Sequence, residues 1–497
     1  MSNPWNDESV ARQQLALAES QLAQPVSEWP VHFKALVEAV KSTQCPGSLI
    51  EVGCASAYNL DALEKGGVEL RRYNGIDISM PAVHLAGERH PENEIFVSTA
   101  DKLPDNAHDV VLDGSTLLHV DNWLGHLKAL CWAARRWVIL HRAPLSNVTH
   151  STETHGYGKT FPAWNFAVGD IDGAMLMNGF ERTARFPADG HSETLVYARP
   201  RHWVTYADGA YLPRLKALHA SLKRHAGPFR LHVLAWDGTV FEWALKELGE
   251  AYVTHIDDFL EGHIDMRVDC LPGPPRTRVE HMWSCGPRFI CDVMEETGEP
   301  AVYIDADCYL FSSPEPMFAE IGGAPAGFVG HNFARAADNL PGPKLETHGI
   351  FGLYNVGVLA FSDRRIVETW ARLTYNWCRD RVEAIVSDFG DVPIQDRRLR
   401  YGDQKYLEDI VREFRGVHVV QNRAAFAGPW NVHTQPISVK DGAIYFGEKP
   451  LGIFHFSGLK ELPEGHSVNT RPEYQLTEQQ AEALYAPYWA ALREAKQ

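Results

Sequence analysis

The sequence predicts an α/β protein with two parallel-sheet domains in tandem, flanked by helical segments. Three observations predict it. From about residue 45 to 199, short apolar runs alternate with amphipathic stretches, the pattern of a parallel sheet wrapped by helices. A seam at "RPRHW" (199–203) is followed by a second round of the same alternation. A chain of 497 residues, 45% of them hydrophobic, has apolar surface for several cores, at roughly 100 to 200 residues per domain. The division that follows is a helical segment over 1–44, an α/β domain over 45–199, a second over 200–470 and a helix over 471–497.

The strands expected in the first domain are "SLIEVGC" (48–54), "YNGIDI" (73–78), "EIFVS" (94–98), "DVVLDG" (109–114), "RWVILHR" (136–142), "FERTARF" (180–186) and "ETLVYA" (193–198). The second domain opens with "HWVTYAD" and the helical "LPRLKALHASLKRH", then strands at "FRLHVLAW" (229–236), "AVYIDA" (301–306), "NVGVLAF" (355–361) and "VHVVQN" (417–422). Segments 257–278, with "LPGPPRTR", and 331–350 read as long loops, which in compact domains are usually functional or disordered. The tail from 471 carries apolar residues at helical spacing and reads as one amphipathic helix that packs on a neighbour.

The formal net charge of -17, without a basic run, excludes an electrostatic grip on nucleic acid or anionic lipid. The first residues, "MSNPWNDESVARQQLALAES", lack a basic region followed by an apolar one. No run reaches the roughly 18 apolar residues of a membrane span, so the expectation is a cytoplasmic protein with no transmembrane segment. The eight cysteines contain no CxxC pair and read as buried free thiols. Composition is compatible with a homo-oligomer.

In "LIEVGCASAYNL" an apolar strand, an acidic residue at its end (Glu51) and a turn at Gly53 run directly into a helix. Such a turn allows close backbone approach to a ligand near the helix N-terminus. The next strand ends at Asp77, where a carboxylate could chelate two ribose hydroxyls. A plainer reading lets Gly53 end the strand and Asp77 cap the next helix. With "EVGC", "GIDIS", the strand before Leu103–Pro104 and "DVVLDGSTLLHV", residues 45–199 resemble the class I S-adenosylmethionine-dependent methyltransferases. The resemblance implies that Glu51, Gly53 and Ala55 line the methionine end of the cofactor, Asp77 its ribose and segment 98–101 its adenine, with His119 near the methyl group. Ala55 and Ala57 stand where the family's turn usually has glycine, and the acidic residue that meets adenine falls at Thr99, with Asp101 two positions later. A hydroxyl acceptor needs a base, for which His119 and His141 are candidates, although each is as readily a satisfied structural histidine. Proximity of acceptor and sulfonium could also carry most of the rate.

In "YIDADCYLF" the carboxylates of Asp305 and Asp307, at i and i+2 of a strand, project to one side. Like charges that close repel unless a cation lies between them, the role of a hard divalent metal. Two solvated carboxylates at a strand exit is the alternative. "GIFHFSGLK" adds His455, an imidazole that suits manganese better than calcium, then Gly458 and Lys460, suited to a diphosphate. "YNVGVLAF" puts Asn355 before a tight glycine, and "YGDQKYLEDI" puts Asp403 and Gln404 at the head of a helix.

These four features, in this order over residues 200–465, resemble the nucleotide-sugar-dependent glycosyltransferases of the GT-A fold, closest to the retaining family-8-like group. The fold implied for the whole chain is two Rossmann-like domains in tandem. The resemblance implies that Asp305, Asp307 and His455 bind Mn²⁺ (or Mg²⁺), Lys460 meets the diphosphate, and Asn355, Asp403 and Gln404 face the donor sugar. Tyr206 and Asp208 would hold the base of a UDP- or GDP-sugar. The family usually has two residues between the glycine and lysine and then Pro-Trp, whereas here only Leu459 intervenes and "ELP" follows. In a retaining reaction Gln404 would position the sugar; in an inverting one Asp403 is the candidate base. Arg288 reads equally as a phosphate contact or an ion-pair partner.

The expected function is bifunctional: metal-dependent sugar transfer to a glycan or glycoconjugate, and S-adenosylmethionine-dependent O-methylation of a sugar hydroxyl. The alternatives are a glycosyltransferase with a non-catalytic methyltransferase-like scaffold, a sugar nucleotidyltransferase, and a carbohydrate-binding protein without turnover.

Overall fold

A computed structural model describes residues 4–334, 351–380, 401–460 and 476–496. The chain divides into two compact units, residues 1–200 with 318–323, and residues 201–317 with 324–497. Among the described residues no helix is long and apolar enough to cross a membrane.

The first unit begins with helices α1 (Glu8–Leu22) and α2 (Val31–Ser42). Its strands are β1 (Ser48–Val52), β2 (Arg72–Asp77), β3 (Glu94–Val97), β4 (His108–Asp113), β5 (Ala134–Ser146), β6 (His150–Gly156), β7 (Lys159–Ala167), β8 (Glu181–Pro187) and β9 (Ser192–Ala198). Between them run α3 (Tyr58–Lys65), α4 (Met80–Arg89), α5 (Trp123–Ala133) and α6 (Val168–Met177). The parallel strands stand in the order β3-β2-β1-β4-β5, and β9 then pairs antiparallel with β5. Alternate residues of the apolar strands face opposite layers. Leu49, Leu112 and Ile139 pack with Phe33, Leu36 and Leu60, and Ile50, Val111 and Val138 pack with Leu127, Leu130 and Ile171. Burial on both faces is why these strands read as continuous apolar runs. Chain direction across the sheet reverses between β1 and β4, and a ligand crevice opens at the strand ends there.

The second unit repeats this logic. Its main-sheet strands are β10 (Arg201–Ala207), β11 (Phe229–Ala235), β12 (Val253–His255) and β13 (Ala301–Ile304), and, after the short β14 (Cys308–Leu310), β15 (Ala326–Gly330), β16 (Tyr354–Phe361) and β17 (His418–Val420). The order is β12-β11-β10-β13-β16-β15-β17, with β16 antiparallel to both neighbours. The 301–304 strand therefore lies between one parallel and one antiparallel partner. The switch point falls between β10 and β13. Helices α7 (Leu212–His225), α8 (Gly238–Leu248), α9 (Ile256–Gly262) and α10 (Arg278–Thr297) cover the first half of this sheet. A Thr277–Glu280 capping box starts α10, and Gly298, at φ 67°, ends it.

Four expectations are corrected. Segment 257–278 is not all loop: α9 occupies its start because Ile256 and Phe259 are buried in the core with α10, and a short 3-10 turn at Ile264–Met266 buries Met266 there too. The first sheet carries an unforeseen hairpin, β6–β7, turned at Tyr157 and Gly158, which both have positive φ. Seven cysteines are buried free thiols, but Cys270 is exposed. The tail is interrupted by a π-helical turn at Ala481–Tyr485 before a helix over Ala486–Ala495. Residues 335–350 of the second expected loop and 471–475 of the tail lie outside the described residues.

Candidate active sites

At the switch point of the first unit lies a cavity of about 1180 Å³. Gly53 leaves β1 at φ 74°, and a Cβ there would come 1.7 Å from the Thr116 hydroxyl, so only glycine fits. Ala55 and Ala57 also take the left-handed conformation, at φ 46° and 58°. Such positions favour glycine by about 1 kcal/mol, which is the physical content of the family's glycines. Asp77 lines the cavity and accepts hydrogen bonds from the backbone N–H of Ala55 (2.9 Å) and of Ser79 (2.7 Å). The cap of α4 is Ser79, not Asp77. Burial pushes the Asp77 carboxyl up from its ordinary value. Ser98, Thr99, Ala100 and Asp101 line the same wall, and the exposed Asp101 carboxylate stands 3.4 Å from Lys102.

Glu51 is not in the wall. It is fully buried beneath it, accepting from Tyr73 Oη and Asn59 Nδ2 at 2.6 Å each, because the last outward position of β1 points into the sheet's helical layer. Burial pushes its carboxyl up to about 7. Between its usual value and 7 the folded protein keeps a proton that the unfolded chain releases, so stability falls as pH rises through that window. Glu51→Gln should therefore gain about 3 kcal/mol relative to the parent at pH 8, and a gain that is no larger at pH 8 than at pH 5 in thermal unfolding would contradict this.

His119 lines the cavity. Its Nδ1 lies 2.7 Å from the Pro162 carbonyl, and burial lowers its pKa below the ordinary value. His141 does not line it: the ring is 2% exposed, bonded through Nδ1 to Thr194 Oγ1 at 3.0 Å, and burial holds it neutral. Its strand position points it at β9 instead of the crevice, which removes it as a base. The residue that sequence reasoning passed over is His126, in the cavity wall, with Nε2 2.7 Å from Asp113. Asp113 also accepts from the N–H groups of Thr116 and Leu117, organising the turn after β4. Its signal was the acidic end of "DVVLDG".

The second unit holds a cavity of about 320 Å³ at its own switch point. Asp305 and Asp307 line it, but they lie just beyond β13, in the turn into β14, so the turn rather than strand alternation brings them together. β14 pairs antiparallel with β22 (Ile453–His455), the last of the short strands β18 (Phe426–Ala427), β19 (Ile437–Lys440), β20 (Ala443–Phe446) and β21 (Lys449–Pro450) that precede it. That ladder sets Cys308 opposite His455 and delivers the imidazole to the acidic pair. His455 Nε2 stands 3.0 Å from Asp307 and 3.5 Å from Asp305. One ligand atom from each of the three lies within 4.8 Å of the others.

Burial pushes the Asp305 carboxyl up, and the negative charge of Asp307 adds to it. Burial works in the same direction on Asp307, but His455 and, behind it, Arg214 bring it below its ordinary value. Burial would lower the His455 pKa; the two carboxylates win and raise it. Tyr303 donates to Asp305 at 2.5 Å and stacks on Tyr206, whose ring has room only because residue 286 is glycine.

Asn355 closes the other side. Its Oδ1 accepts from Gly357 N at 2.7 Å and its Nδ2 meets His331 at 3.1 Å. A Cβ at Gly357 would come 2.6 Å from His455 Nδ1, so the glycine after Asn355 exists to seat the imidazole. Asp403 and Gln404 line the cavity at the head of a helical turn fixed by Trp370, which donates to the Asp403 carbonyl at 2.8 Å. Burial, with Asp305 nearby, pushes the Asp403 carboxyl up to about 8. A carboxyl raised this far holds its proton through most of the neutral range and can donate a hydrogen bond. Tyr206, Asp208 and Gly458 also line the cavity.

Two expected residues stand outside this wall. Lys460 is exposed, because the single residue after Gly458 turns Leu459 inward and the lysine out. Arg288 pairs with Asp292 along α10 at 3.4 Å. The cation sequence reasoning missed is Arg214, in the first turn of α7, which donates to the Leu459 carbonyl at 2.6 Å.

Comparison with known proteins bears on the first unit most directly. Residues 50–135 match the family model described as a methyltransferase domain, and the Rossmann-like α/β order of the first unit accompanies that match. The uncharacterized protein YfnD of Bacillus subtilis (strain 168) is 28% identical over 291 residues, 58% of this chain and 87% of that protein. That span is longer than the first unit, so the likeness reaches into the second. The uncharacterized protein YfnF of the same organism is 25% identical over 196 residues, 37% of this chain and 58% of that protein. Among solved structures, magnesium protoporphyrin IX methyltransferase from Synechocystis PCC 6803 with bound SAH is 18% identical, covers 34% of this chain and 81% of its own, with a TM-score of 0.28. The 1,6-didemethyltoxoflavin-N1-methyltransferase of Burkholderia thailandensis is 13% identical, covers 40% and 91%, with a TM-score of 0.29.

Proposed function

We propose that the chain is a bifunctional transferase. The first unit transfers a methyl group from S-adenosylmethionine to a sugar hydroxyl, and the second transfers a sugar from a nucleotide-sugar donor to a glycan or glycoconjugate with the help of Mn²⁺ or Mg²⁺. Support for the first activity is the methyltransferase-domain match joined to Gly53 and Asp77 in one cavity wall. The observation that carries the second is the convergence of Asp305, Asp307 and His455 in a pocket at the sheet's switch point.

Two carboxylates and an imidazole suit a hard divalent cation, and a like-charged pair this buried favours one. When bound, that cation supplies positive charge against the departing diphosphate. The chain's own residues do the rest. Tyr303 holds Asp305, Gly357 leaves room for His455, and Asn355 holds the Gly357 N–H within β16 while its amide meets His331. Protonated Asp403 and Gln404 offer hydrogen bonds to the donor sugar, and Tyr206, Trp283 and Trp430 exclude water. In the first unit S-adenosylmethionine, when bound, supplies an electrophilic methyl group. Asp77 accepts the ribose hydroxyls, and His119, uncharged at neutral pH, is able to take the acceptor's proton.

Incubating the purified protein with Mn²⁺, S-adenosylmethionine and a panel of UDP- and GDP-sugars, with products read by mass spectrometry, tests both halves. Nucleoside diphosphate release is expected; pyrophosphate release would identify a nucleotidyltransferase instead. Calorimetry showing a folded first unit that does not bind S-adenosylmethionine would reduce that unit to a scaffold. Gly357→Ala should weaken Mn²⁺ binding at least tenfold, about 1.4 kcal/mol, because the new methyl group displaces the His455 ring; unchanged affinity by calorimetry would dismiss the packing argument.

A further inference from the structure

The wall of the first cavity has two parts. One, from Gly53 to His119, belongs to the segment that matches the methyltransferase domain. The other comes from outside it: the N-terminal segment at Trp5, the β6–β7 hairpin, Arg142 and His191. Trp5 stacks on Phe161 with ring centres 4.1 Å apart and meets the His119 ring edge-on at 4.9 Å. Asp7 clamps the same segment to the hairpin through Lys159 at 2.9 Å. The Pro162 carbonyl can only accept, so His119 Nδ1 carries the proton and Nε2 keeps its lone pair.

We propose that this second part of the wall is the methyl-acceptor subsite, that it takes a neutral polyhydroxylated ring, and that Trp5 determines that specificity. The inference rests on the methyltransferase reading of the first unit. A sugar ring has an apolar C–H face and a rim of hydroxyls. The wall answers both, with the aromatic surfaces of Trp5 and Trp164 beside the uncharged polar groups of Thr152, Thr154 and Asn165. The formally charged side chains in this part are Glu153 and Arg142, opposite in sign, and Arg142 already stands 3.2 Å from Asp189. A phosphorylated or carboxylated acceptor would find no surplus cation, and enclosing an unpaired anion is costly. In the reaction the hydroxyl oxygen forms the new O–C bond with its lone pair, the methyl–sulfur bond breaks with its electrons left on sulfur, and the hydroxyl proton passes to His119 Nε2. The products are a methyl ether, S-adenosylhomocysteine and an imidazolium that returns its proton to solvent.

The test uses the full chain in two steps. Calorimetry with S-adenosylhomocysteine first establishes the cofactor side; failure to bind overturns the methyltransferase reading and this inference with it. With S-adenosylhomocysteine saturating, saturation-transfer NMR is then recorded with the methyl α-glycosides of glucose, galactose and mannose, and with glucose 1-phosphate. The expected result is transfer to the ring protons of at least one neutral glycoside. That transfer should fall at least tenfold in Trp5→Ala and be kept largely in Trp5→Phe, with S-adenosylhomocysteine affinity within twofold of the parent in both. Transfer unchanged in Trp5→Ala, transfer only to the phosphorylated sugar, or none to any neutral glycoside while S-adenosylhomocysteine still binds would each overturn it.

Discussion

Asp305→Asn and Asp307→Asn are each expected to abolish measurable Mn²⁺ binding and to lower sugar transfer by at least a thousandfold. The magnitude follows from the charges. A metal clamp on a leaving diphosphate is worth several kcal/mol, and a thousandfold loss is about 4 kcal/mol. An asparagine keeps the size of the side chain, so the loss would reflect the carboxylate and not the packing of Tyr303 or Cys308 around it. The parent itself should show the proton linkage of this site. The carboxylates raise the His455 pKa above its usual 6.5, and only the neutral ring binds metal. Mn²⁺ binding should then release a proton and strengthen about tenfold per pH unit below that raised value, levelling off above it. Calorimetry in two buffers of different ionisation enthalpy measures both; Mn²⁺ binding that survives either substitution, or that strengthens as pH falls, would remove the site from the mechanism.

Asp77→Ala is expected to weaken S-adenosylhomocysteine binding at least a hundredfold. The carboxylate is already oriented by the N–H groups of Ala55 and Ser79, so it meets a ribose diol without reorganisation. Two hydrogen bonds to a charged acceptor contribute together about 3 kcal/mol or more. The substitution also frees the Ala55 N–H and loosens a turn in which Ala55 and Ala57 hold left-handed conformations. A thermal unfolding profile within a few degrees of the parent would separate lost binding from lost fold. Affinity within threefold of the parent would mean that the ribose is held elsewhere.

Much of this architecture was legible in the chain. The apolar runs that became β1, β2, β4, β10, β11 and β13 are buried on both sheet faces, so hydrophobicity alone announced them. The β6–β7 hairpin was not legible, because "HSTETHG" faces solvent along its length and has no apolar period. Among the candidate residues, Asp77, His119, Asp305, Asp307, Asn355, Asp403, Gln404 and His455 fall in the two cavity walls, and Glu51, His141, Arg288 and Lys460 do not. The second group is explained by local geometry. Glu51, His141 and Lys460 lie one or two positions from a cavity residue, and one step along a strand or a short loop reverses the direction of a side chain, whereas Arg288 lies on α10 beyond the turn that meets the cavity.

By itself the sequence determined the two α/β halves and the residue types that could do chemistry in each, since strand burial and glycine turns leave local marks. Tertiary structure alone decided which of those residues meet. It took the β14·β22 ladder to carry His455 across 148 positions of chain to Asp307, and a hairpin with a folded-back Trp5 to roof His119. Contacts between such distant segments depend on backbone pairing and packed volume, which no local pattern encodes.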